Sequence, residues 1–473
     1  MPQNTLLRLW QIALPLGLYS ATSAVFFPVS QSFVFWKICT HSTDITAIPV
    51  SACTNRSIVS SDVYLQTEAN RIFMLGNIAM TLTAVFSATF LGKLGDEKSR
   101  KAALAIPLVG LLLADAVLIA MTAIPAMPAI LYVLSETIFG LAGGYVSIMS
   151  SCFAFGSHLS KTQNVDRSKA MAVLEGAIGV GGILGFLATT FIRKSEYLLA
   201  YALMAFVHVV CLILVLILTD IKPEPVESSI STKTAKLPFA TRIKDKFVAW
   251  IPLFDSNAPK NKIILLVSCF GCSFFAMIGS VQIIFYYLKH RFHWDLTLFS
   301  FLKAPHQFMS TATILFLFPY LKSSGTSDTT LALIGLLSRF FGHLWLIFAW
   351  NTYSVYLWVI LDGFSRFSPT AIRSLLAHSV ESDQQGRIFS LVSVVELFCS
   401  LLAALIFHTL FPASIEFGFP QTSFVIMAAV LLFPIGVFVF GRQYIGGKVD
   451  IQETKTQDEA IPLNEVKTGS SSE

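Results

Sequence analysis

Nine ionisable residues stand in stretches that are otherwise apolar: Asp115, Glu136, Glu175, Lys303, Arg339, Asp362, Arg366, Arg373 and Glu396. A charged side chain at the centre of a bilayer costs about 2.5–3.5 kcal/mol on insertion scales, so such residues face one another, a wet cavity or a transport path. Glu175 sits on a glycine-rich run, where a carboxylate that moves between wet and dry surroundings can exchange a proton. Histidine titrates nearest neutrality of all side chains, which makes His306 the second candidate for proton coupling. Arg373 offers a planar fork that suits an anionic solute. Glu136 and Glu396 complete the candidate solute contacts, Glu396 being also the alternative partner of Arg373. Asp362 and Arg366, four residues apart, read as a pair on one helix face. Asp115 and Glu136 also admit a second reading, as residues too close to a membrane interface to take part.

A second constellation is a short charged loop, Gly92-Lys93-Leu94-Gly95-Asp96-Glu97-Lys98-Ser99-Arg100-Lys101-Ala102-Ala103-Leu104. It resembles the signature loop of the major facilitator superfamily, Gly-x-Leu-x-Asp-x-x-Gly-Arg-Lys-x-x-Leu, and departs from it at Ser99, where the pattern has glycine. The chemistry is that of a latch. Gly92 allows two helices to approach, and Asp96 suits the N-terminus of a neighbouring helix, where the dipole favours an anion. Arg100 and Lys101 can hold a carboxylate or the last carbonyls of an adjacent helix.

The elements that must position these residues are membrane spans. Hydrophobic residues make up 54% of the 473-residue chain and charged residues only 13%, about half the share of a soluble domain. Mean hydropathy is +0.69. Twelve apolar runs reach the roughly 20 residues a spanning helix needs. They lie near 9–36, 71–92, 103–123, 127–157, 170–193, 196–219, 263–288, 297–320, 328–350, 353–378, 388–412 and 420–441. The first follows Arg8 and reads as a signal anchor that stays in place. The expected fold is therefore all-α, with twelve transmembrane helices in two six-helix bundles, 1–219 and 263–441. A basic cytosolic linker, 220–262, joins them, and 442–473 is a polar tail with the composition of disorder.

Charge sets the sidedness. With both termini in the cytosol, 22 of the 33 Lys and Arg fall in cytosolic segments, seven outside and four within spans, as the positive-inside rule requires. Loop 38–70 is then external. It carries the sequon Asn55-Arg56-Ser57, a glycosylation acceptor, and Cys39 and Cys53, which could pair in an oxidising compartment. The other five cysteines read as packing residues.

Two further stretches narrow the resemblance. Ala172-Val173-Leu174-Glu175-Gly176-Ala177-Ile178-Gly179-Val180-Gly181-Gly182 is one; Ala371-Ile372-Arg373-Ser374 with Gly386-Arg387-Ile388-Phe389-Ser390 and Phe411-Pro412-Ala413-Ser414 is the other. Both resemble the proton-coupled folate transporter family, solute carrier family 46, as does Phe292-His293-Trp294-Asp295 followed by His306. The resemblance implies that Glu175 is the span-five carboxylate linked to protons. It likewise makes Arg373 the span-ten cation and His306 the histidine near span eight. Span four departs: Glu136 stands where the folate carrier has arginine, and Gly144 where it has an acid. That exchange of charge speaks against folate as the solute.

No His-Glu-x-x-His, Gly-x-x-x-x-Gly-Lys-Ser/Thr or Gly-x-Ser-x-Gly occurs, so an enzyme is not expected. The expected function is transport of a small organic anion or heterocycle by alternating access, either as a symporter with protons as the coupling ion or as a facilitative carrier. A non-transporting receptor or scaffold on the same fold is the alternative. The expected partners are the solute, protons and the lipid bilayer, with no cofactor, metal or nucleic acid. The chain is expected to act as a monomer in the plasma or endolysosomal membrane.

Overall fold

The structure is a computed structural model that describes residues 3–41, 53, 62–162, 167–192, 196–218, 260–380, 385–441 and 445. Asn55, most of the linker and the tail lie outside them, as do the side chains of Lys93, Asp96 and Glu97.

Every element among the described residues is a helix. The first half contains α1 (Gln3–His41), α2 (Val63–Glu97), α3 (Arg100–Ala123), α4 (Tyr132–Leu141), α5 (Gly144–Thr162), α6 (Arg167–Thr189) and α7 (Tyr197–Ile217). The second half opens with α8 (Lys260–Phe292) and α9 (Leu296–Ala312), which continues through a π-helical turn, Thr313–Leu317, into α10 (Phe318–Ser323). Then come α11 (Asp328–Phe348), α12 (Thr352–Val355), α13 (Leu357–Leu361), α14 (Phe367–His378), α15 (Gln385–Glu416) and α16 (Thr422–Phe440). Among the described residues nine segments are long and apolar enough to cross a membrane. Val173–Thr189 and Thr352–Leu361 are apolar but shorter.

Two expected spans are broken. The fourth divides at Gly143 and Gly144, with φ of 111° and 61°, a conformation that costs a residue with a Cβ but not glycine. The tenth divides at 362–366, a run of turns between α13 and α14. Pro369 therefore falls in the first turn of α14, where its missing N–H has no helical partner to lose.

The helices of each half pack mainly on one another, and the halves meet along α6 against α9 and α2 against α15. Aromatic side chains such as Phe90, Phe191 and Phe440 are 66%, 82% and 90% exposed. An apolar surface of that kind suits lipid, since facing water would cost about 25 cal/mol for each Å² of it. Inside the first half, the buried Lys37 ammonium on α1 donates to the carbonyls of Met121, Ile124 and Pro125 at 2.7, 3.1 and 3.2 Å. This places a cation on the C-terminal end of α3, where the dipole favours it.

At the end that carries the Cys39–Cys53 disulfide, with its Cα atoms 5.9 Å apart, the halves are closed. Gln31 donates to the Gln282 carbonyl at 3.3 Å. Asn70 and His408 join α2 to α15 at 3.0 Å. Phe35 packs on Tyr286 at 5.5 Å, and the Lys289 ammonium sits 3.6 Å from the centroid of Phe35, a cation–π contact.

Candidate solute site

A cavity of about 250 Å³ lies between the halves, lined by α1 to α5 and α7 on one side and by α8 and α15 on the other. Helical spacing puts Tyr19, Thr22, Ser23 and Phe26 of α1 along one wall. Short α4 contributes Tyr132, Ser135, Glu136 and Phe139, and its buried carboxylate, Glu136, accepts from the Tyr132 hydroxyl one turn earlier.

Asp115, His208 and Thr22 form a buried chain across α3, α7 and α1. His208 Nδ1 lies 2.5 Å from Asp115 Oδ2, and Nε2 lies 2.7 Å from Thr22 Oγ1. The Thr22 hydroxyl proton is engaged with the Tyr19 carbonyl at 2.9 Å. His208 thus stands between the Asp115 carboxylate on one side and the Thr22 hydroxyl on the other. Asp115 is 1% exposed and lines the cavity.

The second half holds another polar cluster. His306 Nε2 meets Asp362 Oδ2 at 2.8 Å and its ring stacks on Trp358 at 4.2 Å. Ser365 donates to Asp362 at 3.1 Å, and Arg339 Nε lies 3.9 Å from Asp362 Oδ1. The Lys303 ammonium lies 5.3 Å from the Trp358 ring. Arg366 donates to Gln307 at 3.0 Å and lies within electrostatic reach of Glu175 on α6. The expected Asp362–Arg366 pair is absent. Its premise was four-residue spacing on one helix, and residues 362–366 are turns instead.

Arg373 and Glu396, expected at the solute, form an ion pair with each other, and neither lines the cavity. The Arg373 guanidinium stands over the Phe270 ring at 5.1 Å. Of the expected solute contacts, Glu136 alone is in the cavity wall. Glu175 is exposed on α6.

The loop motif lies at the opposite end from the disulfide. Arg100 donates to the Ala154 carbonyl at 3.1 Å, and Lys101 to the Leu216 carbonyl near the end of α7. Ser99, the departure from the pattern, caps α3 by accepting from the Ala102 N–H at 3.0 Å, a role glycine cannot fill. The close approach expected at Gly92 is absent: a Cβ there would meet nothing within 4 Å.

Sequence reasoning missed His208 and Gln282 and gave Asp115 no role. The available signal for His208 was its isolation, since it is the one histidine or charged residue in Tyr197–Ile217.

This combination, long apolar helices in two halves around an interior cavity with a few buried polar groups in its wall, defines a polytopic membrane transporter. The chain belongs to the Major Facilitator Superfamily, whose family model matches residues 52–404. It is 24% identical over 432 residues to the lysosomal proton-coupled steroid conjugate and bile acid symporter SLC46A3 of Gallus gallus, covering 89% of this chain and 91% of that one. It is 27% identical over 397 residues to the proton-coupled folate transporter of Bos taurus, covering 81% of each. The resemblance to solute carrier family 46 thus extends over most of the chain. Among solved structures, the fold matches the nucleoside transporter NupG with a TM-score of 0.62 at 13% identity, over 91% of this chain and 98% of that one. A D-xylose-proton symporter matches with a TM-score of 0.64 at 11% identity, over 91% and 97%.

Proposed function

We propose that this transporter moves a small organic solute by alternating access of two six-helix bundles and couples that movement to protons. Both termini lie in the cytosol, and the membrane is the plasma or an endolysosomal one. The observation that carries the coupling is the approach of Glu175 on α6 to Arg366 across the seam between the halves. A proton on Glu175 removes the charge that attracts Arg366, and so weakens an attraction between the halves. His306, hydrogen-bonded to Asp362 a short distance along the same cluster, is the second proton group. The two relatives, a proton-coupled steroid conjugate and bile acid symporter and a proton-coupled folate transporter, support this reading.

The gating group is Asp96, Arg100 and Lys101, with Arg100 and Lys101 on carbonyls of neighbouring helices. The Arg373–Glu396 pair braces α14 against α15. The cavity of about 250 Å³ is the solute's binding place.

The test is uptake of a panel of radiolabelled organic solutes, folates included, into proteoliposomes under an imposed pH gradient. Acid on the outer side is expected to drive accumulation in the wild type. In Glu175→Gln that accumulation is expected to vanish while exchange of solute for solute persists. Wild-type uptake indifferent to the gradient would remove proton coupling and leave a facilitative carrier.

A further inference from the structure

We propose that the cavity takes a compact organic amine in its protonated form. The proposal rests on the reading of this cavity as the site of a transported solute, and it fixes the sign of that solute's charge.

Charge comes first. None of the residues lining the cavity is lysine or arginine. Asp115 has His208 Nδ1 as its partner at 2.5 Å, and His208 Nε2 has Thr22 at 2.7 Å. Glu136 is the carboxylate that remains in the wall, buried at 6% exposure with a tyrosine hydroxyl as its donor. A buried carboxylate without a cation is costly, and a bound cation supplies the missing complement. Arg373 cannot supply it, because it is engaged by Glu396. Lys303 stands in the other half, over Trp358, and does not line the cavity.

The second observation is an orphaned acceptor. Gln282 of α8 lines the cavity from the opposite half, is 5% exposed, and its side-chain oxygen has no hydrogen-bond partner. A buried acceptor left unmade costs about 1–3 kcal/mol, and an ammonium is donor only. Glu136 and Gln282 therefore offer acceptors to one ligand from both halves. The walls between them are aromatic: Tyr19, Phe26, Tyr132, Phe139 and Tyr145. Ring faces attract cations, more so where water is excluded.

Size is the third. A volume of about 250 Å³ falls below the roughly 300–1,000 Å³ of pockets for drug-sized ligands. A single ring with a short amine side chain fits that volume.

The experiment compares three probes that share one ring and differ in charge: tyramine, tyrosol and para-hydroxyphenylacetate. Binding to the purified full-length protein is measured by calorimetry, and uptake by flux into proteoliposomes. Tyramine is expected to bind at least about tenfold more tightly than either analogue. Glu136→Gln is expected to erase that preference and Gln282→Leu to reduce it, with thermal melting confirming that each variant folds. Should Glu136→Gln fail to fold, the wild-type order of the probes and Gln282→Leu still decide. Equal or tighter binding of the acid, binding of none of the three, or tyramine binding unchanged in both variants overturns the proposal. Tyramine that binds without being moved overturns the transport reading and leaves the proposal standing; uptake of the acid in preference does the reverse.

Discussion

Asp362 shows how a buried charge is held in this protein. Its carboxylate takes a hydrogen bond from Ser365, meets His306 at 2.8 Å and has Arg339 at 3.9 Å. Removing one partner of a buried ion pair strands the other, at a cost of about 3–5 kcal/mol. Asp362→Ala is therefore expected to lower the melting temperature of the solubilised protein strongly, and Asp362→Ala with Arg339→Leu to recover part of the loss. The Asp115–His208 pair behaves alike at smaller scale. Asp115→Leu leaves His208 Nδ1 buried without its partner, for about 1–3 kcal/mol, and so does His208→Leu for the carboxylate. The double variant is expected to lose less than the sum of the two, a non-additivity that contacting residues show and distant ones do not. A strictly additive result in the melting data would mean the two side chains act separately.

At the scale of elements, α6 is the helix on which the arrangement of the halves turns. A Cβ on Gly181 would come within 2.1 Å of the Gly17 carbonyl oxygen on α1, and one on Gly185 within 2.2 Å of the Ala21 carbonyl. Both are backbone atoms, so no side-chain shift relieves them. A Cβ on Gly179 would meet Thr311 Cγ2 of α9 at 2.1 Å, a side-chain methyl across the seam between the halves. Gly181→Ala is thus expected to destabilise the fold. Gly179→Ala is expected to spare folding more and to slow transport, with Thr311→Ser restoring part of the rate by removing the methyl. Melting temperature and initial uptake rate, measured on all three proteins, separate the two effects. If Thr311→Ser left Gly179→Ala unchanged, the seam would not be the place where the clash acts. The Cys39–Cys53 link closes a short loop, and its removal is expected to cost on the order of 3 kcal/mol through the freedom returned to the unfolded chain.

For the whole molecule, one end is sealed and the other is open to modification. Asn70 is 0% exposed beneath the Asn70–His408 contact, whereas Glu175 is exposed. Five free cysteines, Cys152, Cys211, Cys269, Cys272 and Cys399, would first be replaced by small residues. A membrane-impermeant thiol reagent is then expected to label Glu175→Cys rapidly when applied to the cytosolic face, as in inside-out vesicles, and to label Asn70→Cys hardly at all when applied to the outer face. Alternating access predicts that the two reactivities exchange when solute and pH gradients favour the opposite state. A protein that keeps one pattern under every gradient would be a receptor on a carrier fold.

The sequence by itself determined the class. Runs of about 20 apolar residues can exist only as spanning helices, because lipid leaves no other way to satisfy the backbone. The order of residues in 92–104 and around Glu175 marked the family, since loop and helix motifs are local. Partners across the fold were a different matter. Glu136 could be named from its place in an apolar run, but the tertiary structure alone showed that it meets Tyr132 and shares a cavity wall with Gln282 of the other half. Residue type alone makes Arg373 a solute contact, and only its packing against Glu396 withdraws it from the cavity. The Asp362–Arg366 spacing misled because residues 362–366 form turns and not a continuous helix, so the four-residue rule of helix faces does not apply to them. His208 gave no periodic signal; Asp115 and Thr22 reach it from 93 and 186 residues away in the chain. A hydrogen bond depends on ångström-scale distance, and sequence separation carries no information about that distance once helices pack.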